Sequence, residues 1–207
     1  MFALIIGIDA YSHVVPKLKG AVADADRFES FLINQLKLQK DRVITLRNTE
    51  ATRESIVDAF RALWECEAIQ RDDPIVIFYA GHGCEMSPPK DWETGGQETI
   101  QAICPCDMNR DDSSGRAIHP IPDHTIAVWL NQLSYKKGHN IVSGQSDYYM
   151  LTSELSCFRP SFLIVVIPRV RHESQRKAYV ISISMASFLV PWKGNFPRLS
   201  RLLEMSP

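Results

Sequence analysis

No apolar run in the 207 residues comes near the roughly 20 consecutive positions a membrane-spanning helix needs, which argues against a membrane partner. An excess of charge of either sign is also missing. Lys and Arg number 23 against 24 Asp and Glu, and the net charge of -1 offers nucleic acid nothing to bind. Cysteine is sparse: Cys66, Cys84, Cys104, Cys106 and Cys157 are odd in number and show no zinc-ligand spacing. Reduced thiols in a cytoplasmic protein are the expectation. A glycine-rich strand-to-helix loop of either common phosphate-binding type is absent, which speaks against a nucleotide-binding domain. The opening MFALIIGID has no basic region and meets an acid at Asp9, so it reads as a first strand rather than a leader.

What is present points to one domain with a sizeable core. Its centre is Asp73-Pro74-Ile75-Val76-Ile77-Phe78-Tyr79-Ala80-Gly81-His82-Gly83. A continuous apolar run entered by Asp-Asp-Pro reads as a strand buried on both faces of a parallel sheet. Chemistry in open α/β sheets sits just beyond the carboxyl ends of such strands. His82 falls there, between glycines that leave room around it. From this stretch alone, a catalytic histidine and a plain histidine in a strand-end turn are both open.

Taken in order, Ala3–Ile8 is a second buried strand, and Ala21, Ala25, Phe28, Phe31, Leu32 and Leu36 recur at helical spacing. Val43–Leu46 is a short strand. Thr52 is placed to cap a helix whose apolar face is Ile56, Ala59, Phe60 and Leu63. Strand–helix–strand–helix–strand predicts an α/β fold with a parallel sheet flanked by helices. From Cys84 to Pro122 the chain is loop-like, interrupted by the apolar piece Ile100–Cys104, and a loop of this length after a strand-end histidine suits binding. Asp123–Leu133 reads as a helix, and Lys136–Ile141 as its exit into another strand.

Beyond Ile141 the text changes. Val142–Thr152 has neither period, Phe162–Ile167 is apolar enough for a strand but runs into Pro168 and a basic cluster, and Val180–Val190 alternates cleanly in no way. A tail whose local signals disagree does not specify a fold. The domain reading is therefore 1–141 as structured and 142–207 as a non-matching tail.

The ordered set Ala3-Leu4-Ile5-Ile6-Gly7-Ile8, Leu18-Lys19-Gly20-Ala21-Val22-Ala23-Asp24-Ala25, Ala51-Thr52-Arg53, Phe78-Tyr79-Ala80-Gly81-His82-Gly83 and Pro105-Cys106-Asp107 resembles the caspase-like cysteine peptidases, in particular the metacaspase type. The resemblance covers residues 2 to 141. It implies a caspase-like sheet, incomplete here, and hydrolysis of peptide bonds by a Cys–His dyad. His82 matches the family histidine, and Gly83 would offer its backbone N–H to the oxyanion. Asp24 matches a carboxylate lining the pocket for a basic residue before the cut; as a plain residue it is a surface acid on a helix's first turn. Ala80 stands where many metacaspases carry serine. Peptide or protein substrates are the implied partners. No cofactor follows from the residues; the calcium requirement of many metacaspases meets only the scattered acids Asp107, Asp111, Asp112 and Asp123, which read as a solvated loop and not as a metal site.

The departure is the nucleophile. The family's next strand ends Asp-Cys-Cys-His-Ser, and no such string exists here; Cys157 sits in no matching context. The genetic code offers a cause. Val142-Ser143 can be encoded GTA-AGT, a splice-donor sequence, and Phe158-Arg159 can be TTC-AGA, containing an acceptor. Excising from the first base of codon 142 through the second base of codon 159 shifts the frame. Ile141 is then followed by Thr-(Val/Ile)-(Ile/Val)-Leu-Asp-Cys-Cys-His-Ser-Ala. The hidden string requires Ile164-Val165-Val166-Ile167-Pro168 in order, which at roughly 5–7% per residue type occurs on the order of once per million positions. On this reading 142–158 is retained intron and 159–207 is out-of-frame sequence. The alternative is a non-catalytic pseudo-caspase that acts as an interaction module.

Overall fold

The computed structural model describes residues 1–12, 15–89, 92, 96, 98–138, 141–147 and 158–166. Cys157 and the stretch 167–207, with Val180–Val190, lie outside the described residues. Strands β1 (Phe2–Gly7), β2 (Val43–Arg47) and β3 (Ile75–Met86) lie in the order β2-β1-β3, all parallel. Helices α1 (Ala21–Asn34) and α2 (Arg53–Glu65) make the crossovers between them. Strands β4 (Ile100–Ile103) and β5 (Ile121–Pro122) continue the sheet antiparallel beyond β3, and α3 (Asp123–Lys137) follows. Two further strands, β6 (Ile141–Asp147) and β7 (Phe158–Val166), pair with β3 and with each other.

The alternation of strand side chains divides the core into two layers. Ala3, Ile5, Val76, Phe78 and Ala80 face α1, where they pack with Ala21, Ala25, Phe28 and Leu32. Phe28 stacks on Phe78 at a centroid distance of 4.6 Å. Leu4, Ile6, Ile77 and Tyr79 point the other way, onto Ile56, Phe60 and Leu63 of α2 and Ile126, Leu130 and Leu133 of α3. Both faces of β1 and β3 are covered, which is why their sequences read as unbroken apolar runs. Thr52 caps α2 as expected, its Oγ1 accepting the Ser55 N–H at 3.1 Å.

Three elements differ from the sequence reading. β3 does not stop at Tyr79 or at His82 but runs on to Met86, because β4 pairs with its last residues, Gly83 opposite Ile103 and Met86 opposite Ile100. The segment expected as loop from Cys84 thus opens and closes on a ladder. The sheet is mixed: β6 starts parallel to β3, Ile75 opposite Ile141, whereas β4, β5 and β7 are antiparallel. Finally, β6 continues to Asp147 through residues that show no strand period, and α3 extends past Leu133 to Lys137.

Candidate active site

β1 delivers Asp9 to the carboxyl edge of the sheet. Its carboxylate accepts the Ala21 and Val22 N–H groups at 2.8 and 3.3 Å, capping α1 from outside the helix. Asn48 Oδ1 in turn accepts the N–H groups of Asp9 and Ala10 at 2.9 and 3.0 Å. The loop between Asp9 and α1 is held across the edge of the sheet, with Leu18 N–H donating to Asp9 C=O at 2.9 Å and Ser12 Oγ to Met108 C=O at 2.6 Å.

His82 projects from β3 beneath that loop and is only 2% exposed. Its Nε2 lies 2.7 Å from the Pro16 carbonyl. A carbonyl can only accept, so Nε2 carries the hydrogen and Nδ1 is the basic nitrogen of the neutral ring. Burial lowers the imidazole's pKa from its ordinary 6.5, with the Pro16 bond opposing. The neutral form therefore prevails at pH 7.

Two phenols grip the His82 backbone. Tyr11 Oη accepts the His82 N–H at 2.7 Å while its ring packs against the imidazole at 4.9 Å. Tyr79 Oη bonds the carbonyls of His82 and Cys104 at 2.8 and 3.0 Å. The two hydroxyls also touch each other, and burial pushes both phenol pKa values up. They meet over Gly81, where a Cβ would lie 2.5 Å from Tyr79 Oη and 2.6 Å from Tyr11 Oη. Glycine precedes the histidine because the phenols occupy that space.

Asp24 lies in the first turn of α1, on the same side of the sheet as His82. Its carboxylate pairs with Arg27 at 2.7 Å; burial raises its pKa, Arg27 opposes and Asp9 adds to the rise. Arg27 is 69% exposed, so the pair is a weak surface contact that a competing cation displaces easily. Gly83 is buried within the sheet, opposite Ile103 on one side and Arg159 on the other. Of the acids weighed for calcium, Asp107 caps α2 through the Arg53 N–H, Asp112 closes a turn onto Ser114 and Arg116, and Asp123 accepts the His124 N–H. Among the described residues, no three His, Cys, Asp or Glu side chains are grouped to hold a metal ion.

Cys104 lies across from His82 on the β4 side, but it is fully buried and its thiol contacts that of Cys84, so no peptide carbonyl reaches it. On the other side β7 runs along β3 with Pro160 opposite His82. The sequence reading found His82 but not the residues that hold it. Neither Tyr11 nor Pro16 carries a local signal of that role.

A pH effect follows from the ring's burial. In the unfolded chain His82 takes up its proton near 6.5, whereas the folded state resists it, so below that pH the unfolded state binds more protons and stability falls. Thermal midpoints between pH 7.5 and 5.5 should fall more steeply for the wild type than for His82→Gln, which keeps a donor for Pro16 and does not titrate. Parallel profiles would remove His82 from the effect.

The family model for the metacaspase, peptidase C14 domain matches residues 2–134, and the chain belongs to that family. Metacaspase-3 of Arabidopsis thaliana is 30% identical over 111 residues, which are 51% of this chain and 29% of that protein. Metacaspase-1 of Pyricularia oryzae is 26% identical over 136 residues, 63% of this chain and 31% of the relative. The chain thus spans less than a third of the length of these curated relatives.

Proposed function

We propose that residues 1–141 are the histidine-bearing part of a cysteine endopeptidase domain, and that the 207-residue chain hydrolyses no peptide bonds because its nucleophile strand is missing. The carrying observation is the 2.7 Å contact from His82 Nε2 to Pro16 C=O, which fixes the tautomer a thiol dyad requires. With the hydrogen on Nε2, Nδ1 takes the proton of a cysteine thiol and later returns it to the leaving amine. Gly83 N–H stabilises the oxyanion, and Asp24 receives the guanidinium or ammonium of the residue before the cut, exchanging Arg27 for it.

Residues 142–158 are read as retained intron and 159–207 as out-of-frame sequence. The β3–β6 register supports this. Ile141 pairs with Ile75 in parallel, so a strand continuing alongside β3 sets its position 148 opposite His82, each seven residues further on. In the joined frame, position 148 is the second cysteine of Asp-Cys-Cys-His-Ser. In the chain as written, that slot beside His82 is taken by antiparallel β7.

As written, the protein should take up a thiol-directed peptide probe no better than its His82→Ala variant, as read by intact mass; robust labelling at Cys157 would contradict inactivity. The deciding experiment is sequencing of the transcript across the codon for Ile141. If the segment is absent and the frame resumes in Asp-Cys-Cys-His-Ser, the gene encodes the endopeptidase. An intact segment makes the product a pseudo-peptidase, with Pro160 opposite its histidine.

A further inference from the structure

We propose that Cys84 and Cys104 form a redox site: a dithiol on the β3–β4 ladder that a peroxide converts to an interstrand disulfide. The site lies within the region read in one frame and does not depend on the identity of the nucleophile. Cys84 stands opposite Ala102, and the ladder runs one residue past β4, where Cys104 N–H donates to His82 C=O at 2.9 Å. Two-residue alternation then puts Cys84, Ala102 and Cys104 on one face. They pack together in a small cluster with Val15 and Met108. The two thiols hydrogen-bond each other, and that bond lowers the pKa of Cys84 below its ordinary thiol value against the opposing effect of burial. Cys106, two residues from Cys104, differs: burial and the neighbouring Asp107 push its thiol up to about 11. Among the described residues, Cys84 is thus an activated thiol with a second sulfur in contact.

The reaction balances with one equivalent of peroxide. The Cys84 thiolate attacks the O–O bond, an S–O bond forms, and the departing hydroxide leaves as water once protonated. The Cys104 sulfur then attacks the Cys84 sulfur, forming S–S as the S–O bond breaks, and the second water carries away the Cys104 proton. Two thiols are oxidised to one disulfide and the peroxide is reduced to two waters. Exposures of 9% for Cys84 and 0% for Cys104 admit an oxidant as small as hydrogen peroxide while excluding peptides. Diagonal cross-strand sites, about 7–8 Å apart, exceed the Cα separation that a disulfide spans without backbone movement. Sulfur contact already exists, however, and β4 is four residues long with only the two-residue β5 outside it, so a small shear toward β3 closes the remainder.

The test is hydrogen peroxide titration of the full chain, followed by non-reducing peptide mapping. The expected product is one peptide pair joined through Cys84 and Cys104, with loss of two hydrogen masses. Cys104→Ser should strand Cys84 as a sulfenic acid captured by dimedone, and Cys84→Ser should abolish both products. Oxidation of Cys66 or Cys157 while Cys84 and Cys104 stay reduced would overturn the proposal. Should either variant fail to fold, phenylarsine oxide on the wild-type chain decides. A single arsenical bridging Cys84 and Cys104 supports the site, and its absence or its capture by another pair refutes it.

Discussion

A chain expressed from the joined frame, with codons 142–158 and the first two bases of codon 159 removed, is expected to cleave peptides after Arg or Lys, and the 207-residue chain is expected to cleave none. His82→Ala in the joined chain should lower kcat by about 10²–10⁴-fold, the usual contribution of a general acid–base. The register makes a finer prediction about the two adjacent cysteines. Successive side chains on a strand point to opposite faces, and extending the Ile75–Ile141 register through the joined chain sets its position 148 opposite His82. Alanine at position 148 of the joined chain should therefore abolish turnover, while alanine at position 147 should leave most of it. The reverse result would place the parallel strand one residue out of register. Loss in both would indicate a folding defect, which circular dichroism of the two variants separates from a chemical one.

The second large effect is expected at Gly81. Gly81→Ala drives a methyl group into the place where the Tyr11 and Tyr79 hydroxyls meet, 2.6 and 2.5 Å away. Neither phenol can retreat without releasing the His82 backbone, since Tyr11 accepts its N–H and Tyr79 bonds its C=O. Overpacking costs about 1–3 kcal/mol, and each buried hydrogen bond broken adds roughly 1 kcal/mol. For a chain of this size the thermal midpoint should drop by about 5–10 °C. Gly20→Ser is the control. Nothing lies within 4 Å of a Cβ there, and the position is the N-cap of α1, where serine is favoured. Its midpoint should stay level or rise slightly; equal losses in both variants would mean that the phenols do not set the requirement at Gly81.

The parts of this fold that were legible in the sequence are those where one physical demand dominates. β1 and β3 are covered on both faces by α1 and by α2 with α3, and only apolar residues tolerate that position. The helical spacing of Ala21, Ala25, Phe28 and Leu32, and the cap at Thr52, are local and so could be read locally. His82 was legible because a polar residue interrupts such a strand conspicuously. The hairpin of β3 with β4 was not, because glycines at 81 and 83 resemble a strand terminus when the partner of Gly83, Ile103, is unknown. The grip on His82 was hidden for the same reason. Tyr11 lies 71 residues away and Pro16 66, and neither tyrosine nor proline announces a role until the fold brings it to the imidazole. Beyond Ile141, strands β6 and β7 satisfy backbone hydrogen bonds along β3 without any period in their sequence, as backbone pairing alone permits.

The junction between α3 and the sheet acts as a jig. Asp72 N–H, just ahead of β3, donates to Lys137 C=O at 2.7 Å, and Lys137 Nζ reaches back to the Cys66 and Ile69 carbonyls at 2.6 and 3.2 Å. Gly138, at φ 91°, turns the chain tightly against Asp72. The root of β3 and the exit of α3 are thereby fastened together before the next strand begins, and every fastening residue precedes the point where the reading frame comes into question. Whatever the ribosome supplies after Ile141 is fed onto the sheet from one fixed starting notch. The amino-terminal two thirds of the chain thus sets the alignment of a strand whose residues it does not encode.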